Sequence, residues 1–361
     1  FNGLLAAIFS TIANSYSFRD VSDIHFVPFP YYYIVRIRHQ GVLIDLPFEK
    51  IPIGVVDEII NKIKVIGEMD ITERRRPQDG QMYIRYEGML FSVRVSTIGT
   101  VYDHEFLEIR LLNRRALDIT LEGLGMLQEQ VSIIKDALIK PFGIIVTSGP
   151  AGAGKTTTLY TLLQELYNTG GKNIITIEDP VEYAFPGIEQ IQTNVKADLT
   201  FTNILRAMLR MDPDVILVGE IRDHETMTTA LDAAFSGHLV LSTMHANTAV
   251  STVSRFLNMG ADPRLLSSAL NLVISQRLVR KYDFENNTYK GRTGMFEIAY
   301  IDDATREDIA NFTNEMELQR KLISRGFKTY RDIAEIYINE KITTRDEIER
   351  VLGKVDGKVW R

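Results

Sequence analysis

The chain has 361 residues, of which 45% are hydrophobic and 24% charged, a globular composition long enough for two or three domains. Its formal charge of −6 argues against binding nucleic acid through phosphate neutralisation, and the absence of cysteine excludes disulfides, cysteine zinc sites and thiol nucleophiles. No apolar run reaches the roughly 18 residues that predict a membrane-spanning helix. Because the start lacks an initiator Met and a basic leader, we expect a non-secretory fragment of a longer protein.

The first part of the chain is predicted to be a small α+β unit. Alternating apolar and aromatic residues predict strands over 23–44, and apolar residues at helical spacing predict a helix over 55–69. Two more strands are expected on either side of the Glu87-Gly88 turn, and another over 105–112. We therefore place an N-terminal domain at 1–112 and a linker at 113–130.

The pattern changes from Pro141 onward, where short apolar runs alternate with helical patterns. The runs are FGIIVTSG, NIITIED, VILVGE and HLVLSTMH. This alternation is typical of parallel strands joined by crossover helices. After about Tyr300 the pattern is helical, and Thr344 with Glu347 predicts a capping box. We therefore predict an α/β domain at 131–361 with a helical C-terminal region.

The segment GPAGAGKTT fits the phosphate-binding pattern G-x-x-x-x-G-K-[ST] between a predicted strand and a predicted helix. Its glycines allow backbone amides to turn towards phosphate oxygens, and the helix start adds partial positive charge. Lys155 is expected to reach the β- and γ-phosphates, and Thr156 to bind Mg²⁺. A chance glycine-rich turn is the competing interpretation, which this context disfavours. The predicted nucleotide-binding residues are Gly149, Pro150, Ala151, Gly152, Ala153, Gly154, Lys155, Thr156 and Thr157.

The other three apolar runs end in polar residues. Glu178 and Asp179 end NIITIED, with Glu182 just beyond, Glu220 ends VILVGE, and Thr243 and His245 lie at the end of HLVLSTMH. In an open α/β sheet, ligands bind at the carboxyl ends of the strands. Any single residue could be a helix cap or a solvated turn, as we expect of Asp223. Because the same arrangement occurs at three strand ends beside a phosphate loop, these residues together predict a site that binds a metal, orients water and senses the γ-phosphate.

The run 215–218 ends in Gly219-Glu220, whereas many P-loop enzymes have an Asp for Mg²⁺ immediately before the Glu. Asp214 lies at the other end of this strand, roughly 20 Å away at about 3.3 Å per residue. We therefore predict that the metal is held by Thr156, phosphate oxygens, waters and Glu178.

Taken in order, four motifs resemble those of the secretion ATPase family, which powers type IV pilus assembly and retraction and type II secretion. They are GPAGAGKTTTLY, TIEDPVEY, LRMDPDVILVGEIRDHETMTTALDAAFSGHLVLSTMHANTA and SQRLVRK. VSDIHFVP and RRPQDGQ resemble motifs of its N-terminal PAS-like domain, so the resemblance covers almost the whole chain. It implies a PAS-like α+β domain, a RecA-like P-loop ATPase domain and a hexameric cytoplasmic motor that hydrolyses ATP with Mg²⁺.

The resemblance also implies residue roles. Glu220 matches the hydrolytic Walker B carboxylate. The acidic box matches Glu178, Asp179 and Glu182, the histidine box matches His238 and His245, and the γ-phosphate arginines of the N-terminal domain match Arg94 and Arg110. Without the resemblance, the two arginines would be interpreted as solvated charges on strand faces.

Two positions depart from the family pattern. Gln81 replaces the arginine of the family's Asp-Gly-Arg motif, and Arg85 or Arg76 could compensate. Assembly-type members carry a four-cysteine zinc element where this chain has only YDFENNTY, so we expect a short polar loop and no zinc site.

KGRTGMFEI and GFKTYRDIAEIYINEKITTRDEIERV are similar to assembly and secretion members. We therefore expect a homo-hexameric motor for type IV pilus assembly, located in the cytoplasm against the inner membrane. Its expected partners are an inner-membrane platform protein and the pilus or secretion machinery, without nucleic acid. The alternatives are a type II secretion ATPase, a retraction motor, a nucleic-acid translocase and a non-hydrolysing scaffold.

Overall fold

The computed structural model describes residues 3–18, 20–112, 119–182, 185–194 and 197–353. The chain divides into two compact units, Phe1–Arg115 and Ala116–Arg361. Of the predicted linker 113–130, residues 113–118 lie outside the described residues. The remainder belongs to the second unit, because Leu121 and Met126 are buried in its core.

The first unit is an antiparallel sheet packed against two helices. Its elements are α1 (Gly3–Ser15), β1 (Val21–Pro28), β2 (Tyr32–His39), β3 (Val42–Asp45), β4 (Ile51–Pro52), α2 (Ile53–Ile66), β5 (Gln78–Tyr86), β6 (Met89–Gly99) and β7 (Glu105–Leu112). The strand order is β3-β2-β1-β7-β6-β5, with β4 paired to β2. The strands predicted in this region are confirmed, whereas α1 was not predicted.

One face of this sheet is apolar and packs against the helices. Alternate side chains of each strand point to this face, and Phe9 of α1 and Ile60 of α2 belong to the same buried cluster as Val35 and Val93. The opposite face carries most of the charged residues, as expected for an antiparallel sheet covered on one side, whereas Glu105 on the helix-covered face pairs with the buried Lys64 at 2.6 Å.

The second unit contains a mostly parallel sheet. Its elements are α3 (Gln128–Leu138), β8 (Gly143–Ser148), α4 (Lys155–Thr169), β9 (Ile174–Glu178), β10 (Glu189–Gln192), α5 (Phe201–Met208), β11 (Val215–Val218), α6 (His224–Phe235), β12 (Leu239–Met244), α7 (Ala249–Asn258), α8 (Pro263–Ala269), β13 (Leu270–Asp283), β14 (Thr288–Tyr300), α9 (Asp303–Ala310), α10 (Glu315–Ser324), α11 (Tyr330–Asn339) and α12 (Arg345–Leu352). The strand order is β10-β9-β11-β12-β8-β13-β14, and β14 alone among these runs antiparallel to its neighbour.

Helices cover both faces of this second sheet. One buried cluster joins the sheet to α3 and α4, and a larger one joins it to α5–α10. The four central strands are buried on both faces, which explains why their sequences are continuous apolar runs. Helices α11 and α12 pack separately, against the outer part of the β13–β14 hairpin.

The hairpin turn is shorter than the polar loop that we predicted from YDFENNTY. Tyr282 pairs with Tyr289 and Asp283 with Thr288, which leaves only residues 284–287 for the turn. The ring centroids of the two tyrosines lie 4.9 Å apart. Asp283 stabilises this turn, because its Oδ1 accepts the amides of Glu285 and Asn286 at 3.0 Å each.

Both predicted helix caps are present, although one differs in detail. Asp223 accepts the Thr226 amide at 2.8 Å and begins α6. Thr344 accepts the Glu347 amide at 3.2 Å, but the Glu347 side chain does not complete a capping box. It instead binds the guanidinium groups of Arg280 and Arg350, because α12 packs against β13. None of the helices in the described ranges combines the length and apolar character that a membrane span requires.

Candidate active site

The phosphate loop lies between buried β8 and the start of α4, as predicted. Gly154 precedes α4 with φ +86°, a left-handed conformation that favours glycine. At Gly149, a Cβ atom would lie 2.6 Å from the Gln276 carbonyl oxygen, so a side chain cannot fit there. The neighbouring strand β13 therefore packs directly against the loop. The amides at the start of α4 remain available for an anion.

Lys155, the first residue of α4, extends back along the loop. Its Nζ donates hydrogen bonds to the carbonyl oxygens of Gly149 at 2.7 Å and Pro150 at 3.2 Å, and to Nδ1 of His245 at 3.2 Å. Burial lowers the pKa of Lys155 to about 8, although the charge of Glu220 opposes this effect. These three partners carry no formal negative charge, so the lysine is a partly buried cation well suited to a phosphate.

Glu220 follows the end of β11 and is joined to Lys155 through a histidine. Its Oε1 lies 3.1 Å from His245 Nε2, and its Oε2 accepts a 2.6 Å hydrogen bond from Arg222. Because Lys155 can only donate, we assign the neutral tautomer of His245 that accepts at Nδ1 and donates from Nε2 to Glu220. The ends of β8, β11 and β12 therefore bring together a cation, a histidine and a carboxylate.

Thr243 fixes the peptide that precedes Glu220. Its hydroxyl donates to the Gly219 carbonyl at 2.7 Å, and its own carbonyl accepts the Ile221 amide at 3.0 Å. At Gly219, a Cβ atom would lie 3.0 Å from the Ile177 carbonyl oxygen and 3.4 Å from the Glu178 Cα. Close packing against the end of β9 therefore accounts for glycine where many P-loop enzymes have an aspartate.

The acidic box residues occupy three different environments. Glu178 is 5% exposed, and its carboxylate accepts hydrogen bonds from Tyr160, from Thr176 at 2.7 Å and from Gln190 at 3.1 Å. Burial raises the pKa of Glu178, while these three hydrogen bonds act in the opposite direction. Because both oxygens are already used inside the protein, this geometry disfavours the predicted role of Glu178 as a metal ligand.

Glu182 is the acidic residue that approaches the phosphate loop. Its Oε1 lies 3.4 Å from the Thr156 hydroxyl. Asp179 is exposed immediately after β9. A hard cation such as Mg²⁺ prefers oxygen ligands, so Thr156 with Glu182 forms a more suitable pair than Thr156 with Glu178.

The structure separates the two histidines of the predicted histidine box. His245 follows β12, but His238 precedes it, and its carbonyl accepts the amide of Gly143 at the start of β8. Seven residues of extended chain span about 23 Å, so His238 lies at the opposite edge of the sheet from the phosphate loop. Its Nδ1 lies 2.9 Å from the Ala233 carbonyl oxygen. Within this chain the geometry does not bring His238 to the phosphate loop, and its catalytic role stays a prediction.

Arg94 and Arg110 are cross-strand neighbours on the charged face of the first unit. Arg110 donates to Asp23 and Glu108, both at 2.8 Å, whereas Arg94 lies 3.9 Å from Asp79 in a looser ion pair. Gln81 pairs with Arg94 from the other side. The predicted approach of both arginines to a γ-phosphate stays a prediction.

Neither candidate for compensating the arginine lost at Gln81 is buried. Arg85 is exposed on the same strand, β5, and Arg76 is exposed with its Nε 3.8 Å from Glu73.

Several residues at the site were not predicted from the sequence. Tyr160 and Gln190 enclose Glu178, and Gln276 Nε2 donates to the Ala153 carbonyl of the phosphate loop at 2.6 Å. Arg277 and Glu297 hold the segment that follows His245. A usable signal existed for Glu297, because a charged residue interrupts the apolar run MFEIAY just as Glu220 ends VILV.

With this geometry defined, the second unit is an α/β P-loop nucleotide hydrolase domain. Residues 3–350 match the family described as type II/IV secretion system protein. The chain is similar to type II secretion system protein HxcR of Pseudomonas aeruginosa, with 40% identity over 350 residues covering 92% of this chain and 74% of the relative. Type II secretion system ATPase E of Vibrio cholerae is 38% identical over 367 residues, covering 91% and 72%.

Solved structures share this fold. The ATPase DotB of Legionella pneumophila superposes with a TM-score of 0.77 at 21% identity, covering 97% of this chain and 95% of its own. The pilus retraction motor PilT with bound ADP gives a TM-score of 0.69 at 26% identity, covering 99% and 98%. The chain belongs to the type II/IV secretion system protein family and is an ATP-hydrolysing enzyme. The predicted RecA-like α/β fold is confirmed, and the PAS-like assignment of the first unit stays a prediction.

Proposed function

We propose that this chain is the ATP-hydrolysing motor of a type II secretion system. The observation that carries the catalytic part is the chain of contacts Lys155–His245–Glu220 at the end of the phosphate loop. The relatives at 38–40% identity are named for type II secretion, which favours the alternative that we set beside pilus assembly. The more specific prediction of pilus assembly is not supported by these relatives.

The residues present fit a magnesium nucleotide. The loop at Gly149 and Gly154 takes backbone conformations that expose amides, and a cation with neutral partners extends along it. Thr156 and Glu182 supply oxygen ligands for a divalent cation, whose charge would offset that of the phosphates. Lys155 would bind the β- and γ-phosphates in place of its present carbonyl partners.

Glu220 is the group that we assign to the attacking water. It is 14% exposed, so water can reach it, and Arg222 and His245 fix both of its oxygens. A carboxylate held in this way can orient the water and take up its proton. Since His245 touches both Lys155 and Glu220, a phosphate that displaces the lysine also changes the surroundings of the carboxylate.

We further propose that the chain acts as a homo-hexamer at the cytoplasmic face of the inner membrane, recruited by a platform protein of the secretion machinery. Arg94 and Arg110 would then act on the γ-phosphate, and closure of the first unit onto the nucleotide would be the power stroke of the motor. Light scattering with and without ATP tests the assembly, and a particle that stays monomeric in both conditions would contradict it.

The catalytic assignment is tested by Glu220→Gln. Because general-base catalysis contributes roughly 10²–10⁴-fold, we expect turnover to fall by about that factor while ATP binding is retained. Glu225→Gln is the matched control, since Glu225 is exposed in the first turn of α6 and pairs only loosely with Arg206 at 3.4 Å. Turnover by Glu220→Gln equal to that of this control would refute the assignment.

A further inference from the structure

Glu297 is a buried carboxylate that binds the first residues of two different helices. It lies in β14 and is 4% exposed. Its Oε2 accepts the amide of Ala249, the first residue of α7, and its Oε1 accepts the amide of Tyr330, the first residue of α11, both at 2.9 Å. Helix starts have free amides and partial positive charge, so one carboxylate stabilises both of them.

Arg277 in β13 holds the same two segments from the other side. Its Nη2 donates to the Asn247 carbonyl at 2.8 Å, and its guanidinium lies 5.1 Å from the centre of the Tyr330 ring. Burial raises the pKa of Glu297, whereas the two backbone amides and the charge of Arg277 oppose that rise. Asp332 adds a smaller effect in the same direction as burial. The β13–β14 hairpin thus binds the start of α11 and the segment that leads into α7 through one cation, Arg277, and one anion, Glu297.

One of these segments directly follows His245. Only residues 246–248 separate His245 from α7, and within them the carbonyl of Asn247 is bound by Arg277. Ala249 follows and is bound by Glu297. Fixing the backbone at 247 and 249 restricts where the His245 ring can lie, and that ring touches both Lys155 and Glu220.

The same hairpin also touches the phosphate loop. Gln276, next to Arg277, donates to the Ala153 carbonyl at 2.6 Å, and Arg277 Nη1 donates back to the Gln276 carbonyl at 3.1 Å. The loop and the histidine segment are therefore held by adjacent residues of one strand. A change at Glu297 should move the histidine segment and leave the phosphate loop in place, since Gln276 does not depend on it.

We propose that Glu297 is a positioning residue for ATP hydrolysis, which sets His245 between Lys155 and Glu220 and ties it to the start of α11. The inference rests on the proposed roles of Glu220 and His245. It is distinct from a simple cap, which would affect folding stability but not the turnover of the molecules that are folded.

The test compares Glu297→Gln with Glu347→Gln. Glutamine keeps the size of Glu297 but turns an NH₂ group towards one of the two amides, so one helix start is released. We expect kcat to fall about tenfold, which is the effect of losing one hydrogen bond of about 1.4 kcal/mol, with little change in KM for ATP. Glu347 is also fully buried in the second unit, where it binds Arg280 and Arg350, away from residues 245–249.

The control should lower the thermal midpoint without changing kcat per folded molecule. In Glu297→Gln, amide hydrogen exchange should accelerate at whichever of Ala249 and Tyr330 loses its acceptor, and in Glu347→Gln it should accelerate at neither. Should Glu297→Gln fail to fold, Arg277→Lys gives the same test, because lysine keeps the charge but replaces the planar fork, whose Nη1 and Nη2 bind the Gln276 and Asn247 carbonyls, by a single nitrogen. It should also lower kcat more than KM.

The outcomes separate this inference from the proposed function. If Glu220→Gln abolishes turnover while Glu297→Gln and Arg277→Lys keep the wild-type kcat, Glu297 is only a structural cap and the inference fails. If Glu220→Gln itself keeps turnover, the proposed function fails first. A selective fall in kcat in both hairpin variants, absent from Glu347→Gln, supports the positioning role.

Discussion

The two units each present a cation that could meet a nucleotide, but they hold it in opposite ways. Lys155 in the second unit donates to two backbone carbonyls and a histidine, and its pKa is lowered to about 8, chiefly by burial. Arg110 in the first unit is bound by two carboxylates, Asp23 and Glu108, and its pKa is raised above its usual value because these carboxylates outweigh the effect of burial.

This difference has a consequence for anion binding. A phosphate that approaches Lys155 replaces neutral partners and relieves an unbalanced charge, so binding is favoured from the start. A phosphate that approaches Arg110 must compete with two carboxylates that are already in place. Arg94 lies between these cases, since its carboxylate partner Asp79 is 3.9 Å away. We therefore expect Lys155 to dominate affinity and Arg94 to be more easily recruited than Arg110.

The strongest test of this comparison is Lys155→Ala. Loss of a charged hydrogen-bond donor to phosphate costs about 1.5–3 kcal/mol, so ATP affinity should fall roughly 10- to 100-fold, as measured by titration with a fluorescent ATP analogue. Lys135→Ala is the matched control, because Lys135 is exposed on α3. Equal affinity in the two variants would show that the loop amides alone hold the phosphates.

The second test replaces Arg110 and Arg94 one at a time. Arg110→Ala deprives the buried Asp23 of its closest charged partner and should lower the free energy of unfolding by about 1–3 kcal/mol. Arg94→Ala breaks only a long, half-exposed ion pair and should cost less than about 0.5 kcal/mol. Urea denaturation measures both values.

The same two variants separate structural from catalytic roles. If Arg94 acts on the γ-phosphate, Arg94→Ala should lower turnover in the assembled protein while stability is kept. An Arg94→Ala variant with wild-type turnover would leave only the solvated-charge interpretation for this residue.

The sequence predicted best those features whose residues lie close together along the chain. The phosphate loop, the Asp223 cap and the parallel strand ends follow from residues close together in the chain, and each has its own pattern. Glu220 and His245 were predicted to meet because parallel strands end at a common edge, and the structure places them 3.1 Å apart.

The sequence was least informative where a residue's partners are distant along the chain. His238 was grouped with His245 by motif, although an intervening strand of six residues places them at opposite edges. Glu178 was assigned to metal because nothing in the sequence shows that Tyr160, 18 residues earlier, and Gln190, 12 residues later, surround it. Glu297 was missed since its two partners lie 48 and 33 residues away.

The last test concerns the pH dependence of Lys155. With its pKa lowered to about 8, the lysine of the nucleotide-free protein loses its proton as the pH rises through that value. A neutral lysine binds phosphate less well, so ATP affinity should fall up to about tenfold for each pH unit above about 8, until it reaches the level of Lys155→Ala. That variant should show no such step.

Stability should change in the opposite sense. Between about pH 8 and the usual lysine pKa near 10.4, the unfolded chain keeps a proton at Lys155 that the folded chain has released, so the free energy of unfolding gains a contribution that increases with pH. The comparison with Lys155→Ala isolates this contribution from those of other groups. If ATP affinity falls with pH while the contribution of Lys155 to the free energy of unfolding rises, the lysine is a cation held without a counter-charge. If ATP affinity does not depend on pH, the charge of Glu220 offsets the effect of burial on the pKa of Lys155.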